Sequence, residues 1–280
     1  MNKRKIAVIG MFIAVIVFAV IADVSHSKRE ALKVTTINVQ VENIPVIETY
    51  IDDGKQKPMI IVQHGFKNRK ESTIGLADKL AEKGFFVVSP DAYAHGDRTE
   101  APLSLTEIIV HTSEEYDGLI DAYKKDDRVN IHKLGIAGFS MGGCITFHYA
   151  IYGKHHPEAI APTISTPYFE QLIGSRLSRS IYSSREGLSV AQDAAAIQYI
   201  DQYILSHSPY KDYKNLKDVA VLMQNGELDR YVNSDGVHKL NTALTPINPR
   251  VRLVMIAGTK HQVTPEMTDR IVTFMCQNLK

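Results

Sequence analysis

The sequence is poor in the residues that mark several protein classes. Its 280 residues include no tryptophan and two cysteines, Cys144 and Cys276. Two cysteines do not make the disulfide framework of a small secreted domain. Each lies in an apolar helical pattern, so we interpret both as small buried hydrophobic residues. The 11 histidines are scattered rather than clustered at the spacing of metal ligands. The sequence therefore implies neither a metal nor a cofactor.

The chain also lacks an excess of charge of either sign. It carries 32 Lys and Arg against 31 Asp and Glu, a formal net charge of +1. Nucleic-acid binding relies on clustered positive charge, so this balance indicates no nucleic-acid partner. Hydrophobic residues make up 44% of the chain and charged residues 22%, an ordinary globular composition. The length suffices for one large α/β domain or two small ones.

A long apolar run occurs once, at the N-terminus. Basic residues at positions 3–5 precede an uncharged run over residues 6–22, which Asp23 ends. The run is short for a membrane span and long for the apolar part of a signal peptide. We slightly favour an uncleaved anchor over a signal cleaved after residues 20–22, and the basic flank orients the rest of the chain outward. Residues 1–32 are thus expected to form an anchor or signal segment with a polar linker, giving a membrane-anchored extracytoplasmic or a secreted protein.

Residues 33–280 alternate between strand-like and helix-like patterns. This alternation predicts an α/β fold with a mostly parallel central sheet, helices on both faces and a hairpin at the sheet edge. Residues 167–215 contain no buried-strand pattern and carry an amphipathic run, so we expect a small helical cap inserted there. Apolar runs typical of buried strands occur at residues 59–62, 85–88, 159–164, 219–223 and 251–256.

One motif organises the chain. Residues 138–142 read G-F-S-M-G, a G-x-S-x-G pattern between an apolar strand and a helical run. In this context the pattern is typical of a nucleophile elbow, a tight turn that lifts the Ser140 hydroxyl above the C-terminal edge of a sheet. The flanking glycines let strand and helix approach closely. A glycine-rich connection without chemistry can show the same pattern, so the motif alone does not decide.

Two later strand ends carry the groups that a serine nucleophile needs. A base must take the serine proton, and a third group must hold the tautomer of that base. Asp229 and His261 follow the last two apolar runs, at the same edge of a parallel sheet and in the chain order Ser, Asp, His. We predict Ser140 as nucleophile, His261 as base and Asp229 as acid. Glu227 and Asp235 remain alternatives for the acid.

Backbone amides near the elbow are candidates for an oxyanion hole. Met141 N–H directly follows the nucleophile, and Phe66 N–H follows the strand at residues 59–62, so position favours both. We interpret His64 as a structural residue that holds this loop. His95 and Asp97 are interpreted as loop residues that stabilise their own turn rather than as catalytic groups.

These pieces together resemble α/β-hydrolases of the dienelactone-hydrolase-like branch. The chain is similar to small bacterial carboxylesterases, which also resemble prolyl-oligopeptidase catalytic domains. The resemblance implies the same triad and oxyanion donors. Dienelactone hydrolases proper use a cysteine nucleophile, so Ser140 argues against that substrate, and the N-terminal run is not typical of cytoplasmic esterases. The matching motifs are H-G-F (64–66), S-P-D-A-Y-A-H-G-D-R (89–98), G-F-S-M-G-G (138–143), N-G-E-L-D-R-Y-V (225–232) and K-H-Q-V-T-P-E (260–266).

We therefore expect a serine hydrolase that cleaves carboxylic esters, with short acyl chains, through an acyl-enzyme intermediate. The expected partners are a small-molecule ester or peptide substrate and, through the N-terminal segment, a membrane. A peptidase or acyltransferase with the same triad is an alternative, because the fold does not choose the acyl acceptor. A catalytically silent binding protein on the same fold is the alternative from a different class.

Overall fold

The computed structural model describes residues 33–99 and 102–280. The expected anchor or signal segment and its linker, residues 1–32, lie outside the described residues. In the part of the chain that the structure describes, no helix combines the length and apolar character needed to cross a bilayer. Residues Val34–Lys280 form one compact unit.

The described elements alternate as the sequence predicts. In chain order they are β1 (Val34–Val41), β2 (Ile44–Ile51), β3 (Lys57–Gln63), a 3-10 turn (Lys70–Thr73), α1 (Ile74–Glu82), β4 (Phe86–Pro90), β5 (Leu103–Ser104), α2 (Leu105–Tyr123), β6 (Val129–Phe139), α3 (Met141–Tyr152), β7 (Ala159–Thr163), a 3-10 turn (Phe169–Leu172), β8 (Ser180–Ser183), β9 (Gly187–Val190), α4 (Ala194–His207), a 3-10 segment (Pro209–Leu216), β10 (Ala220–Gly226), α5 (Asp235–Leu244), β11 (Val251–Ile256) and α6 (Pro265–Leu279).

The central sheet is mostly parallel, which confirms the predicted fold class. Its strand order is β1-β2-β4-β3-β6-β7-β10-β11. The β1–β2 hairpin pairs antiparallel at one edge, and β2 pairs antiparallel with β4. From β4 to β11 all neighbouring strands run parallel. The carboxyl ends of these strands therefore meet at one edge, where functional loops of such sheets gather.

Successive side chains of β3 point to opposite faces of the sheet, and helices cover both faces. Met59 and Ile61 point into a core with α2, α3 and α5, whereas Ile60 and Val62 point into a second core with α1 and α6. All four side chains are fully buried. A strand buried on both faces reads as a continuous apolar run rather than an alternating one, and that is the pattern seen at this position.

The inserted segment at residues 167–215 is only partly helical. It contains α4, capped by the Asp193 carboxylate, and the 3-10 segments on either side, as expected of a helical cap. It also contains the hairpin β8–β9, which pairs through β8 with the short strand β5. The sequence pattern did not predict this hairpin, because each strand has four residues and β9 is largely exposed, so neither makes a buried apolar run.

Candidate active site

Ser140 lies in a strained turn between β6 and α3. Its backbone adopts φ 54° and ψ −113°, in the left-handed region that side chains other than glycine rarely occupy. The turn is held because Ser140 N–H donates to Thr163 O at 2.9 Å and Cys144 N–H donates to Ser140 O at 3.0 Å. Gly142 is required by close packing, since a Cβ there would lie 2.3 Å from Gln63 O. The elbow is thus wedged against the end of β3.

The three predicted side chains form one continuous hydrogen-bonded chain. Ser140 Oγ lies 2.8 Å from His261 Nε2, and His261 Nδ1 lies 2.7 Å from Asp229 Oδ2. An ionised carboxylate can only accept, so His261 Nδ1 carries a proton and donates it. His261 Nε2 is then free to accept the Ser140 hydroxyl proton. The Asp229 side chain is 1% exposed and that of His261 19% exposed, so solvent reaches the imidazole but hardly the carboxylate.

The Asp229 carboxylate is held by its own loop. Its Oδ1 accepts hydrogen bonds from Tyr231 N–H at 2.9 Å and Val232 N–H at 3.0 Å. Burial raises the pKa of Asp229, but the hydrogen bonds from His261 and from these amides outweigh burial, and the pKa lies below its usual value. The carboxylate therefore stays ionised beside the imidazole at neutral pH.

The two alternative acids lie elsewhere. Glu227 and Asp235 are both exposed, and Asp235 accepts from the Asn233 side chain at 3.0 Å. Among the described residues, Asp229 supplies the carboxylate hydrogen bond to His261, and neither alternative makes one.

The two expected oxyanion donors lie on the segments next to Ser140: Met141 follows it, and Phe66 follows Gly65. Gly65 packs directly beside the serine, because a Cβ on Gly65 would lie 3.7 Å from Ser140 Cβ. Phe66 follows in the loop, and within residues 33–99 and 102–280 its N–H has no hydrogen-bond partner. Met141 is the first residue of α3, so its N–H belongs to the helical turn whose amides lack intrahelical acceptors. Both amides are therefore candidates to donate to an oxyanion formed at Ser140.

His64 braces the start of this loop, consistent with its interpretation as a structural residue. Its Nε2 accepts from Ala92 N–H at 3.0 Å, so its Nδ1 carries the proton and donates to Gly65 O at 2.8 Å. The imidazole is fully buried, and burial lowers its pKa. His64 therefore stays neutral and ties the loop after β3 to the loop after β4.

His95 does more than stabilise its own turn. Its Nδ1 bonds to Tyr93 O at 2.9 Å within that turn, but its Nε2 accepts from Lys67 N–H at 3.1 Å, across to the loop after β3. Asp97 pairs with Arg69 at 2.8 Å and with Lys70. No spacing in the sequence signals the bond to Lys67, because it joins residues 28 positions apart.

Comparison with known proteins finds a family match over part of the chain. The sequence profile of the Dienelactone hydrolase family matches residues 47–172. This part of the chain is similar to the dienelactone hydrolase family. The matched range contains Phe66, Ser140 and Met141, whereas Asp229 and His261 lie beyond it.

Proteins that are similar to this chain bear the names of esterases. "Esterase YjfP" of Escherichia coli is 26% identical over 86% of this chain and 97% of its own length. "Putative esterase YitV" of Bacillus subtilis is 32% identical over 39% of this chain, a match that spans 46% of that protein. These names indicate a hydrolase enzyme. The crystal structure of TT1662 from Thermus thermophilus shares the fold, with a TM-score of 0.68 at 20% identity over 89% of this chain and 99% of that one.

The cysteine near the elbow, Cys144, is a buried structural residue. Cys144 lies on α3, its thiol contacts Thr166 O at 3.5 Å, and burial raises its pKa to about 11. A thiol with so high a pKa is protonated at neutral pH and is a poor nucleophile. In the described part of the chain, no three His, Cys, Asp or Glu side chains are grouped so that they could hold a metal ion.

Proposed function

We propose that the enzyme is a serine esterase that cleaves carboxylic esters with short acyl groups. The observation that carries the proposal is the hydrogen-bonded chain from Ser140 through His261 to Asp229, set on a strained elbow. Strain of this kind is kept only where the surrounding structure over-determines it, which is typical of functional sites. The esterase names of YjfP and YitV support the same reaction class.

In the proposed mechanism the residues act in a fixed order. Ser140 Oγ attacks the ester carbonyl carbon while His261 Nε2 takes the hydroxyl proton. Asp229 orients the imidazole and stabilises its positive charge. The negative oxygen of the tetrahedral intermediate accepts from the amides of Phe66 and Met141. His261 then returns the proton to the leaving alcohol oxygen, and water, deprotonated by His261, releases the acid from Ser140.

Two bulky rings, one of them that of Phe66 itself, support a short acyl group. Phe66 and Tyr182 meet edge to face at 5.3 Å between centroids, and both rings are half-buried. We infer that rings packed in this way leave less room beside the Phe66 amide for a long acyl chain. We expect hydrolysis of p-nitrophenyl esters to be fastest for acetate and butyrate and to fall with longer chains. A maximum at octanoate or longer would contradict the short-chain assignment.

Replacement of the nucleophile tests the chemistry itself. Ser140→Ala removes the hydroxyl, and hydrolysis of p-nitrophenyl acetate should fall by about 10⁴-fold or more. The thermal unfolding midpoint should not fall, because alanine keeps the backbone hydrogen bonds of the elbow. Unchanged activity in the folded variant would refute the proposal. Peptide substrates and added alcohol acceptors, assayed on the active wild type, identify a peptidase or acyltransferase if either reaction outpaces ester hydrolysis.

The proposed location rests on the N-terminal sequence alone. Basic residues at 3–5 before the apolar run at 6–22 support export, with the run kept as an anchor or removed as a signal. Fractionation of the producing cells tests this proposal. Full-length protein that is free of membranes and inside the cell would contradict it.

A further inference from the structure

Two imidazoles join the loop that bears Phe66 to the loop after β4. We call residues 64–68 the oxyanion loop and residues 91–98 the histidine loop. His64 accepts from Ala92 N–H and donates to Gly65 O, at the start of the oxyanion loop. His95 accepts from Lys67 N–H at 3.1 Å, at its far end. The Phe66 amide therefore lies between two residues whose backbones are fixed by the histidines.

Lys67 is the position at which the oxyanion loop needs support. Its φ is 61°, in the left-handed region that a lysine rarely adopts. The neighbouring turn is closed by Asn68 N–H, which donates to Gly65 O at 3.1 Å. In this conformation the Lys67 N–H donates a hydrogen bond to His95 Nε2. Without an acceptor at that point the turn can relax, and the peptide that carries the Phe66 N–H turns with it.

One ring of the cap contacts both loops, one residue in each. Tyr182, on β8, lies 4.3 Å from His95 and 5.3 Å from Phe66 between ring centroids. The cap hairpin is fixed to the histidine loop at a second point, because the Ser184 hydroxyl donates to Arg98 O. The pairing of Tyr182 with Leu103 of β5 adds a third attachment. The segment that bears the ring is thus held by the strand pairing and by the Ser184 hydrogen bond, besides the contacts of the ring itself.

We propose that His95 and Tyr182 are positioning residues for the oxyanion hole: His95 fixes the Lys67 amide, and Tyr182 of the cap holds the His95 and Phe66 rings in place. The cap then contributes to the chemical step through Phe66, besides any contact with substrate. This inference rests on the proposed esterase function. Loss of one oxyanion donor costs serine hydrolases about 10²–10³ in kcat, so a donor that is displaced rather than removed should cost about tenfold or more.

A matched pair of substitutions at His95 separates the two ring nitrogens. Glutamine can place an acceptor oxygen where Nε2 lies, whereas the shorter asparagine reaches only the Nδ1 position. His95→Asn should lower kcat for p-nitrophenyl acetate about tenfold or more, with KM changed less than about threefold. His95→Gln should retain most of the wild-type kcat. The exposed His132 on β6 provides a control, and His132→Asn should leave both constants unchanged.

The affinity for a transition-state analogue provides a second measurement, which a purely structural defect would not change in parallel with kcat. A trifluoromethyl ketone forms a Ser140 adduct whose oxyanion occupies the hole, so its affinity should fall with kcat in His95→Asn and recover in His95→Gln. Wild-type kcat in a folded His95→Asn, or equal losses in both variants, would overturn the role of the Nε2 acceptor.

Tyr182 supplies an independent test if the His95 variants fail to fold. Tyr182→Ala removes the ring and should lower kcat and analogue affinity together, and Tyr182→Phe, which keeps the ring, should restore both. Equal kcat in Tyr182→Ala and wild type would overturn the coupling to the cap. A wild-type protein that hydrolyses no ester would refute the proposed function instead. An active wild type with insensitive variants would refute this inference alone.

Discussion

Asp229→Asn perturbs the proposed triad at its buried carboxylate while keeping the shape of the side chain. In the native loop, Asp229 Oδ1 accepts from Tyr231 N–H and Val232 N–H, and Oδ2 accepts from His261 Nδ1 at 2.7 Å. The asparagine oxygen can keep both amide bonds, so the loop should hold. Its NH₂ group must then face His261 Nδ1, and two donors cannot meet at that distance.

The size of the expected loss in kcat follows from the tautomer that Asp229→Asn forces on His261. With a donor opposite it, His261 Nδ1 must become the acceptor, and the proton moves to Nε2. Nε2 then faces the Ser140 hydroxyl, 2.8 Å away, as a donor and cannot take its proton. In serine hydrolases with this arrangement the same exchange lowers kcat about 10⁴-fold, equivalent to about 5.5 kcal/mol of transition-state stabilisation.

The assay is steady-state hydrolysis of p-nitrophenyl acetate at neutral pH, with circular dichroism to show that the variant folds. Glu227→Gln is the matched control, because Glu227 is an exposed carboxylate on the same loop, two residues away. We expect the control to keep kcat within about twofold. A loss of less than tenfold in Asp229→Asn, or an equal loss in Glu227→Gln, would refute the assignment of Asp229.

The remaining predictions concern stability. Burial lowers the pKa of His148 to about 4, against 6.5 when unfolded, so stability is full above pH 6.5 and falls as pH drops towards 4. Between pH 7 and pH 5 the loss in urea-unfolding free energy should be about 2 kcal/mol greater in wild type than in His148→Asn. Gly142→Ala should destabilise the fold by about 1–3 kcal/mol, since its Cβ would meet Gln63 O. Gly118 is exposed inside α2 with open space around it, so Gly118→Ala should instead stabilise the fold by about 1 kcal/mol. Thermal unfolding of both glycine variants measures these changes.

The fold was predictable wherever burial leaves a local pattern. β3, β7 and β10 lie inside the sheet and read as apolar runs, so their positions follow from short stretches of sequence. The hairpin β8–β9 was missed because its stability comes from pairing with β5, nearly eighty residues earlier, and from rings on other loops. Strand order likewise depends on how the crossovers pack, which no single segment encodes.

The same distinction between local pattern and distant packing applies to the candidate site. Ser140, Asp229 and His261 could be named because each follows a recognisable strand, and parallel strands bring their carboxyl ends together. The bracing of the oxyanion loop could not be read in this way. His95 reaches Lys67 and Tyr182 only after three separate segments have packed, and polar loop residues of this kind usually serve their own turn.

Covalent labelling of the wild-type protein tests the central claim most directly. A fluorophosphonate reacts with a serine that a neighbouring base activates, and its phosphoryl oxygen occupies the oxyanion hole. We predict a single adduct, located by peptide mass spectrometry at Ser140, with labelling lost in His261→Ala and in heat-denatured protein. A folded wild type that remains unlabelled at Ser140, or that labels equally well without His261, would contradict the account.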